Sequence, residues 1–282
     1  MIYLYQNTVI MKQKKKYNNN LLDKYGTRAL VTGTSSWIGK QLAIQLAKIW
    51  FNLILIARNK QKLQILKTDL ESEYFITCII IDKDLSTKEW IDLVLQQSTH
   101  YDISLAIMNA WFGTSGLFVD WDITQEVNML DLNCRSILIL TQYFAKKFVW
   151  QKKWGIILLS SVVAFQWTPY VSHYAATKAY IQTLWEWLAE ELEWTWVDIL
   201  TVAPGPVQTW FGDRASMNLW YADDPIHIAR SILSSLGKTT FIYPWWLAKV
   251  IWYSIALLPR RAKSKVMGIS MKWIVKWKRY NS

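Results

Sequence analysis

Short apolar runs alternate along the chain with longer stretches in which apolar residues return every three or four positions. The runs Arg28 to Thr32, Leu53 to Ala57, Phe75 to Ile81, Ile103 to Met108, Ile156 to Ser160 and Val197 to Val202 are aliphatic or β-branched. They have little internal polarity, the pattern of strands buried on both faces. Between them Ile38 to Trp50, Lys60 to Leu70, Thr124 to Val149 and Tyr174 to Trp194 carry the spacing of amphipathic helices. Six strands separated by helices predict an α/β fold with a doubly wound parallel sheet in a single domain. No repeat, glycine/serine linker or low-complexity tract interrupts it. The expected organisation is a basic N-terminal extension over 1–24, the α/β domain over 25–243, and a basic, partly apolar extension over 244–282.

Composition narrows the class further. The 282 residues are 52% apolar and 19% charged, enough apolar material for a full core and too little charge for a disordered chain. The net charge of +11 is concentrated at the ends, in Lys12, Lys14, Lys15 and Lys16 and again beyond Pro259. Neither end carries a nucleic-acid-binding motif, so solvated tails are the expectation and no nucleic-acid partner is. Trp245 to Leu258 could lie on a membrane surface as a peripheral contact, but no uncharged apolar run reaches the 18 residues of a spanning helix. The apolar residues 1–11 precede the lysines, the reverse of a secretory signal, and Met11 is an alternative start. Cys78 and Cys134 are too few for a disulfide scaffold and have no metal-ligand spacing, so no metal and a reducing, cytoplasmic setting are expected.

The first strand runs into Thr32, Gly33, Thr34, Ser35, Ser36, Trp37, Ile38, Gly39 and Lys40, and the next residues open a helix. Unpaired N–H groups and the positive dipole end of that helix would receive a pyrophosphate, with glycines permitting the turn and the close approach. Further on, Tyr174 and Lys178 stand four apart in a predicted helix and so share one face. Ser161 follows the strand that ends at Ser160, at the carboxyl edge where open α/β sheets bind ligands.

From Tyr25 to at least Phe211 the chain resembles the short-chain dehydrogenase/reductase family, a Rossmann-like fold. The resemblance rests on the Thr32–Gly39 loop, Asp84-Leu85, Asn109-Ala110-Trp111, Asn133, Ser161, Tyr174 with Lys178, and Pro204-Gly205, in the family's order. It implies reduction of a ketone, or the reverse oxidation of an alcohol, on a small apolar or acyl substrate. Tyr174 would be the proton donor and Lys178 would hold the cofactor ribose and favour phenolate together with the oxidised nicotinamide. Ser161 would bond the substrate carbonyl, and Asn133 would bend its helix and support a water relay. The implied cofactor contacts are Gly33, Ser35, Ser36, Trp37, Ile38, Gly39, Arg58, Asp84, Asn109, Ala110, Tyr174, Lys178, Pro204, Gly205, Val207 and Thr209. Arg58 follows Ala57 at the end of the second strand where an NAD enzyme places an acid, so NADP(H) is expected in preference to NAD(H). The family's habit of pairing through its fourth and fifth helices implies a homodimer or homotetramer. A dinucleotide-sensing or interaction protein on the same fold is the alternative. His173, one residue from Tyr174, points about 100° away on a helix and has no assigned role, and His100 and His227 have no partner visible in the sequence.

The chain has ten glycines and nineteen tryptophans, where glycine ordinarily supplies about 7% of residues. Trp37, Trp50, Trp111, Trp196 and Trp210 stand where the family commonly has glycine. An indole at Trp37 would fill space the pyrophosphate needs. The expectation is that many of these positions are glycine in the cell, encoded by UGA. Trp185, Trp187 and Trp194 are read as miscalled glycines or helix packing.

Overall fold

The computed structural model describes residues 20–152, 154–165, 168–207 and 222–245, with scattered positions between 249 and 269. Thr209, Trp210, the segment after Val207 and most of both extensions lie outside the described residues. In chain order the elements are α1 (Asn20–Tyr25), β1 (Arg28–Thr32), α2 (Trp37–Lys48), β2 (Asn52–Ile56), α3 (Lys60–Tyr74), β3 (Cys78–Ile81), α4 (Lys88–Ser98), β4 (Leu105–Met108) and α5 (Ile123–Leu130). They continue through a π-helical segment (Asp131–Ser136) into α6 (Ile137–Gln151), β5 (Trp154–Leu159), α7 (Ser172–Glu191), β6 (Val197–Val202), α8 (Pro225–Ser235) and β7 (Phe241–Ile242).

All seven strands are parallel, in the order β3-β2-β1-β4-β5-β6-β7. Within each strand, successive buried residues face opposite sides. Val31, Leu55 and Ile107 pack with Leu42 and Leu46 of α2 and with Ile228 and Ile232 of α8. Leu30, Ile54 and Ala106 pack with Ile91 of α4, Phe144 and Phe148 of α6, and Ile181 of α7. Full burial of each large aliphatic side chain is worth about 1.5–3 kcal/mol, so both faces must be covered. The doubly wound single domain expected from the sequence is the observed fold.

Several boundaries differ from expectation, most of them by one to three residues. The helix begun at Lys60 runs four residues longer and ends as Phe75 takes a left-handed conformation at φ 55°, so β3 starts at Cys78 and not at Phe75. The single helix expected over 124–149 is interrupted by the π-helical turn around Asn133. The helix expected to end at Trp50 stops at Lys48, and Trp50 itself sits at φ 64°. β7 and α8 follow the six expected strands and their intervening helices; β7 has two residues and exists through its pairing with β6.

Candidate active site

Strand order reverses between β1 and β4, and open α/β sheets bind their ligands outside the carboxyl ends of the strands at that reversal. Gly33 leaves β1 there, and Asn109 leaves β4 opposite it. Thr32 Oγ1 accepts the backbone N–H groups of Asn109 and Ala110, each at 2.9 Å. Asn109 Nδ2 donates to the carbonyls of Thr32 (2.9 Å) and Gly33 (3.3 Å). The two crossovers are thereby locked together.

This closeness is what requires the glycines. Gly33 has φ 71°, and a Cβ on it would stand 2.9 Å from Ala110 Cα. A Cβ on Gly39 would stand 2.4 Å from the Gly33 carbonyl oxygen and 2.5 Å from Asn109 Nδ2. The first turn of α2 is consequently pressed onto the end of β1. Ser36, at the N-cap, makes no side-chain cap, because its hydroxyl donates to the Gly33 carbonyl at 2.6 Å. The leading N–H groups of α2 are thus left uncapped by a side chain, at the positive end of the helix dipole.

Beside this turn lies a cleft lined by Gly33, Ser35, Ser36, Arg58, Asp84 and Ala110, six of the sequence-predicted positions, with Lys83 and Trp111 joining them. Arg58 Nη1 lies 3.3 Å from Asp84 Oδ2, a half-exposed pair of the kind worth about 1 kcal/mol or less. Lys83, which the sequence reading missed, rests its ammonium 4.2 Å from the ring of Trp90. A glycine cradle beside an uncapped helix N-terminus, with an arginine at the end of β2, fits a phosphorylated dinucleotide. Trp37 projects with nearly half its surface in solvent.

The second cluster lies on α7 and the end of β5. Tyr174 and Lys178 are both buried, and a hydrogen bond joins the side chains of Tyr174 and Ser161. Lys178 Nζ donates to the Leu159 carbonyl at 2.8 Å. It stands 4.7 Å from the centre of the Trp111 ring and 5.8 Å from that of Tyr174. The Trp111 and Tyr174 rings are 5.7 Å apart. Burial pushes the Lys178 ammonium down to about 7, against a smaller opposing effect from Cys134. Burial likewise pushes the Tyr174 phenol well above its ordinary value, and the Ser161 hydrogen bond opposes that only in part. In the chain alone, Tyr174 is therefore held protonated and not drawn toward phenolate by Lys178, since desolvation outweighs an ammonium that is itself easily neutralised.

Asn133 sits in the π-helical turn, fully buried. Its Nδ2 donates to the Phe112 carbonyl (2.8 Å) and to Thr177 Oγ1 (3.0 Å), and its Oδ1 accepts from Phe112 N–H (3.1 Å). Both amide protons are committed, so the side chain ties the loop after β4 to α7. Pro204, Gly205 and Val207 follow β6: the Pro204 carbonyl accepts from Val162 N–H at 3.0 Å, and Val207 is buried beside Asp223. They lie outside the cleft formed by the Gly33 and Arg58 loops. His173 and His227 have partners the sequence did not reveal: Glu126 at 2.6 Å and Asp223 at 2.9 Å. Glu126 precedes His173 by 47 residues, and nothing in local spacing joins them.

The comparisons agree with this geometry. A family model described as short chain dehydrogenase matches residues 27–219. An uncharacterized oxidoreductase of Staphylococcus aureus is 27% identical over 216 residues, 76% of this chain and 92% of the relative. A 7beta-hydroxysteroid dehydrogenase of Clostridium sardiniense is 26% identical over 70% of this chain and 76% of its own. Among solved structures, a short-chain dehydrogenase from Sphingobium yanoikuyae in complex with NADPH has a TM-score of 0.76 at 25% identity, covering 82% of this chain and 92% of that one. A bulky-bulky ketone specific alcohol dehydrogenase from Comamonas testosteroni has a TM-score of 0.71 at 25% identity, covering 83% and 95%. With the model match spanning both the glycine cradle and the Tyr174–Lys178 helix, the chain belongs to the short chain dehydrogenase family and is an oxidoreductase of the dehydrogenase/reductase kind.

Proposed function

We propose that the protein reduces a ketone at the expense of NADPH, or oxidises the corresponding alcohol, with Tyr174 as the proton donor and acceptor. The observation that carries this reading is the trio at the carboxyl edge of the sheet: buried Tyr174 bonded to the half-buried Ser161, with buried Lys178 in reach of the Tyr174 ring. A protonated, desolvated phenol is what a reduction requires of its acid, and Ser161 would share a hydrogen bond with the carbonyl oxygen that Tyr174 protonates. Lys178 would bind the cofactor ribose, and Asn133 acts through Phe112 and Thr177 by fixing the site's frame. Gly33, Ser35 to Gly39, Asp84, Asn109 and Ala110 would hold the dinucleotide, with Pro204, Gly205, Val207 and Thr209 beyond β6. Arg58 would pair with the 2′-phosphate of NADPH, a charge-assisted contact worth about 1.5–3 kcal/mol. When bound, the nicotinamide supplies the hydride. The NADPH in the Sphingobium relative and the ketone named for the Comamonas one support the cofactor and substrate class.

A second reading has one observation behind it. Trp111 lies over Lys178 and beside Tyr174, against the polar groups the reaction uses, so a chain with tryptophan there suits a dinucleotide sensor better than an enzyme. We propose glycine at this position in the native protein, which restores the catalytic reading.

The test follows NADPH oxidation by protein carrying glycine at positions 37, 111 and 196, against a panel of apolar ketones, with NADH as the alternative donor. Tyr174→Phe is expected to lower turnover about a hundred- to ten-thousandfold while NADPH still binds. Arg58→Ala is expected to erase the preference for NADPH. Tyr174→Phe turning over any accepted ketone at the parent rate overturns the mechanism, and tight NADPH binding with no ketone reduced favours the sensor.

A further inference from the structure

Helix α7 has no side-chain cap at its start: Val171 occupies the N-cap, and its backbone conformation is irregular. Two side chains from the continuous helical stretch of α5 and the π-helical turn hold α7 in place of a cap. Glu126 Oε2 lies 2.6 Å from His173 Nδ1, and Asn133 Nδ2 donates to Thr177 Oγ1 at 3.0 Å. The two anchors are seven residues apart on one stretch, close to two helical turns, and four apart on α7, close to one. Tyr174 stands between the two gripped positions on α7.

The Glu126 side chain is 4% exposed, and a carboxyl group so buried needs a close hydrogen-bond partner, which the His173 imidazole supplies. The contact pairs one carboxyl oxygen of Glu126 with one ring nitrogen of His173, a single hydrogen bond between two side chains 47 residues apart. The ring of Trp121 covers the imidazole at a centroid distance of 5.9 Å, and the Trp121 indole donates to the Gly116 carbonyl. Gly116 N–H in turn donates to the Tyr170 carbonyl at 2.8 Å, four residues before Tyr174. This set of contacts ties the loop after β4 to the segment that leads into α7.

We propose that Glu126 and His173 are positioning residues for Tyr174: together with Asn133 they clamp α7 on both sides of it and fix the phenol against Ser161 and Lys178. This rests on the catalytic reading above for its activity arm, and has a second arm that does not. In the activity arm, His173→Ala and Glu126→Leu are each expected to lower kcat for the accepted ketone about tenfold or more. KM for the ketone and the dissociation constant for NADPH should stay within about twofold, because the glycine cradle is built by the turn between β1 and α2, which neither Glu126 nor His173 contacts. His173→Asn, which keeps a hydrogen-bonding group near the Nδ1 position, should recover most of the loss. The double variant should cost no more than the worse single one. If Glu126→Leu fails to fold, His173→Ala against His173→Asn carries the same comparison. Unchanged kcat, or a fall in kcat matched by equal losses of NADPH affinity and thermal midpoint, overturns the proposal.

The second arm reads tyrosine labelled with ¹³C at Cζ, the Tyr174 signal being assigned by its loss in Tyr174→Phe. It needs no turnover. His173→Ala should move that signal and His173→Asn should restore it, while a Tyr174 signal that stays in place overturns the clamp. A parent that reduces no ketone, with the signal moving as expected, removes the catalytic reading and leaves the clamp standing.

Discussion

At the residue scale, the tryptophans divide into two groups. Trp185 is buried in the core of the α7 face and fills a volume whose loss would leave a cavity. Trp50 adopts φ 64°, a left-handed conformation that costs a side-chain-bearing residue about 1–2 kcal/mol and glycine nothing. Trp194 and Trp196 are 91% and 73% exposed, contributing little packing for their size. Trp111 dries Lys178 instead of leaving room for a ligand. Glycine in the native protein, from UGA codons, is the proposal for Trp37, Trp50, Trp111, Trp196 and Trp210. Peptide mass spectrometry of native material should find glycine at these five, and UGG codons there would refute it. A recombinant chain with Trp37→Gly and Trp111→Gly should bind NADPH at least tenfold more tightly than the chain with tryptophan, measured by nucleotide fluorescence.

At the element scale, the cradle depends on how closely α2 meets the end of β1. A methyl group on Gly39 would meet the Gly33 carbonyl and Asn109 Nδ2, both committed to the lock between crossovers, so α2 must move away. Gly39→Ala is expected to weaken NADPH binding at least tenfold and lower the thermal midpoint. Lys40→Ala, one residue on and exposed, should change neither. Parent-like affinity in Gly39→Ala would show that the close contact is not what shapes the site. The π-helical turn acts similarly on the other crossover: it widens one turn within a helical stretch that runs on from α5 into α6, at the place where Asn133 bonds Phe112 and Thr177.

At the scale of the whole molecule, burying Lys178 sets a pH dependence of stability. Its ammonium is pushed down to about 7 in the folded protein, while the unfolded chain keeps the ordinary lysine value near 10.4. Between these limits the unfolded state binds more protons, so stability rises with pH from about 7 toward 10. Below about 7 both states are protonated and the full penalty remains. In the cofactor-free protein, Lys178→Met should therefore melt above its parent at pH 7, with the gap narrowing as pH approaches 10. A gap independent of pH across that range would mean that Lys178 is not desolvated.

The amino-acid pattern was enough to locate six of the seven strands to within a few residues, and to read the doubly wound sheet, the Thr32–Gly39 turn and the pairing of Tyr174 with Lys178. Each of these is written in local periodicity or in a four-residue helical spacing. The meeting of Asn109 with Gly33, the Arg58–Asp84 pair and the contact of Glu126 with His173 exist only once the chain is folded. These join residues 26 to 76 positions apart, and no local period encodes the crossovers that bring them together. β7 belongs with them: two residues have no periodicity to read, and their strand conformation comes from the ladder that β6 offers. The ionisation of Tyr174 and Lys178 was likewise beyond sequence, because the spacing brings the two groups near each other while their burial, which outweighs their mutual effect, is a property of the folded core.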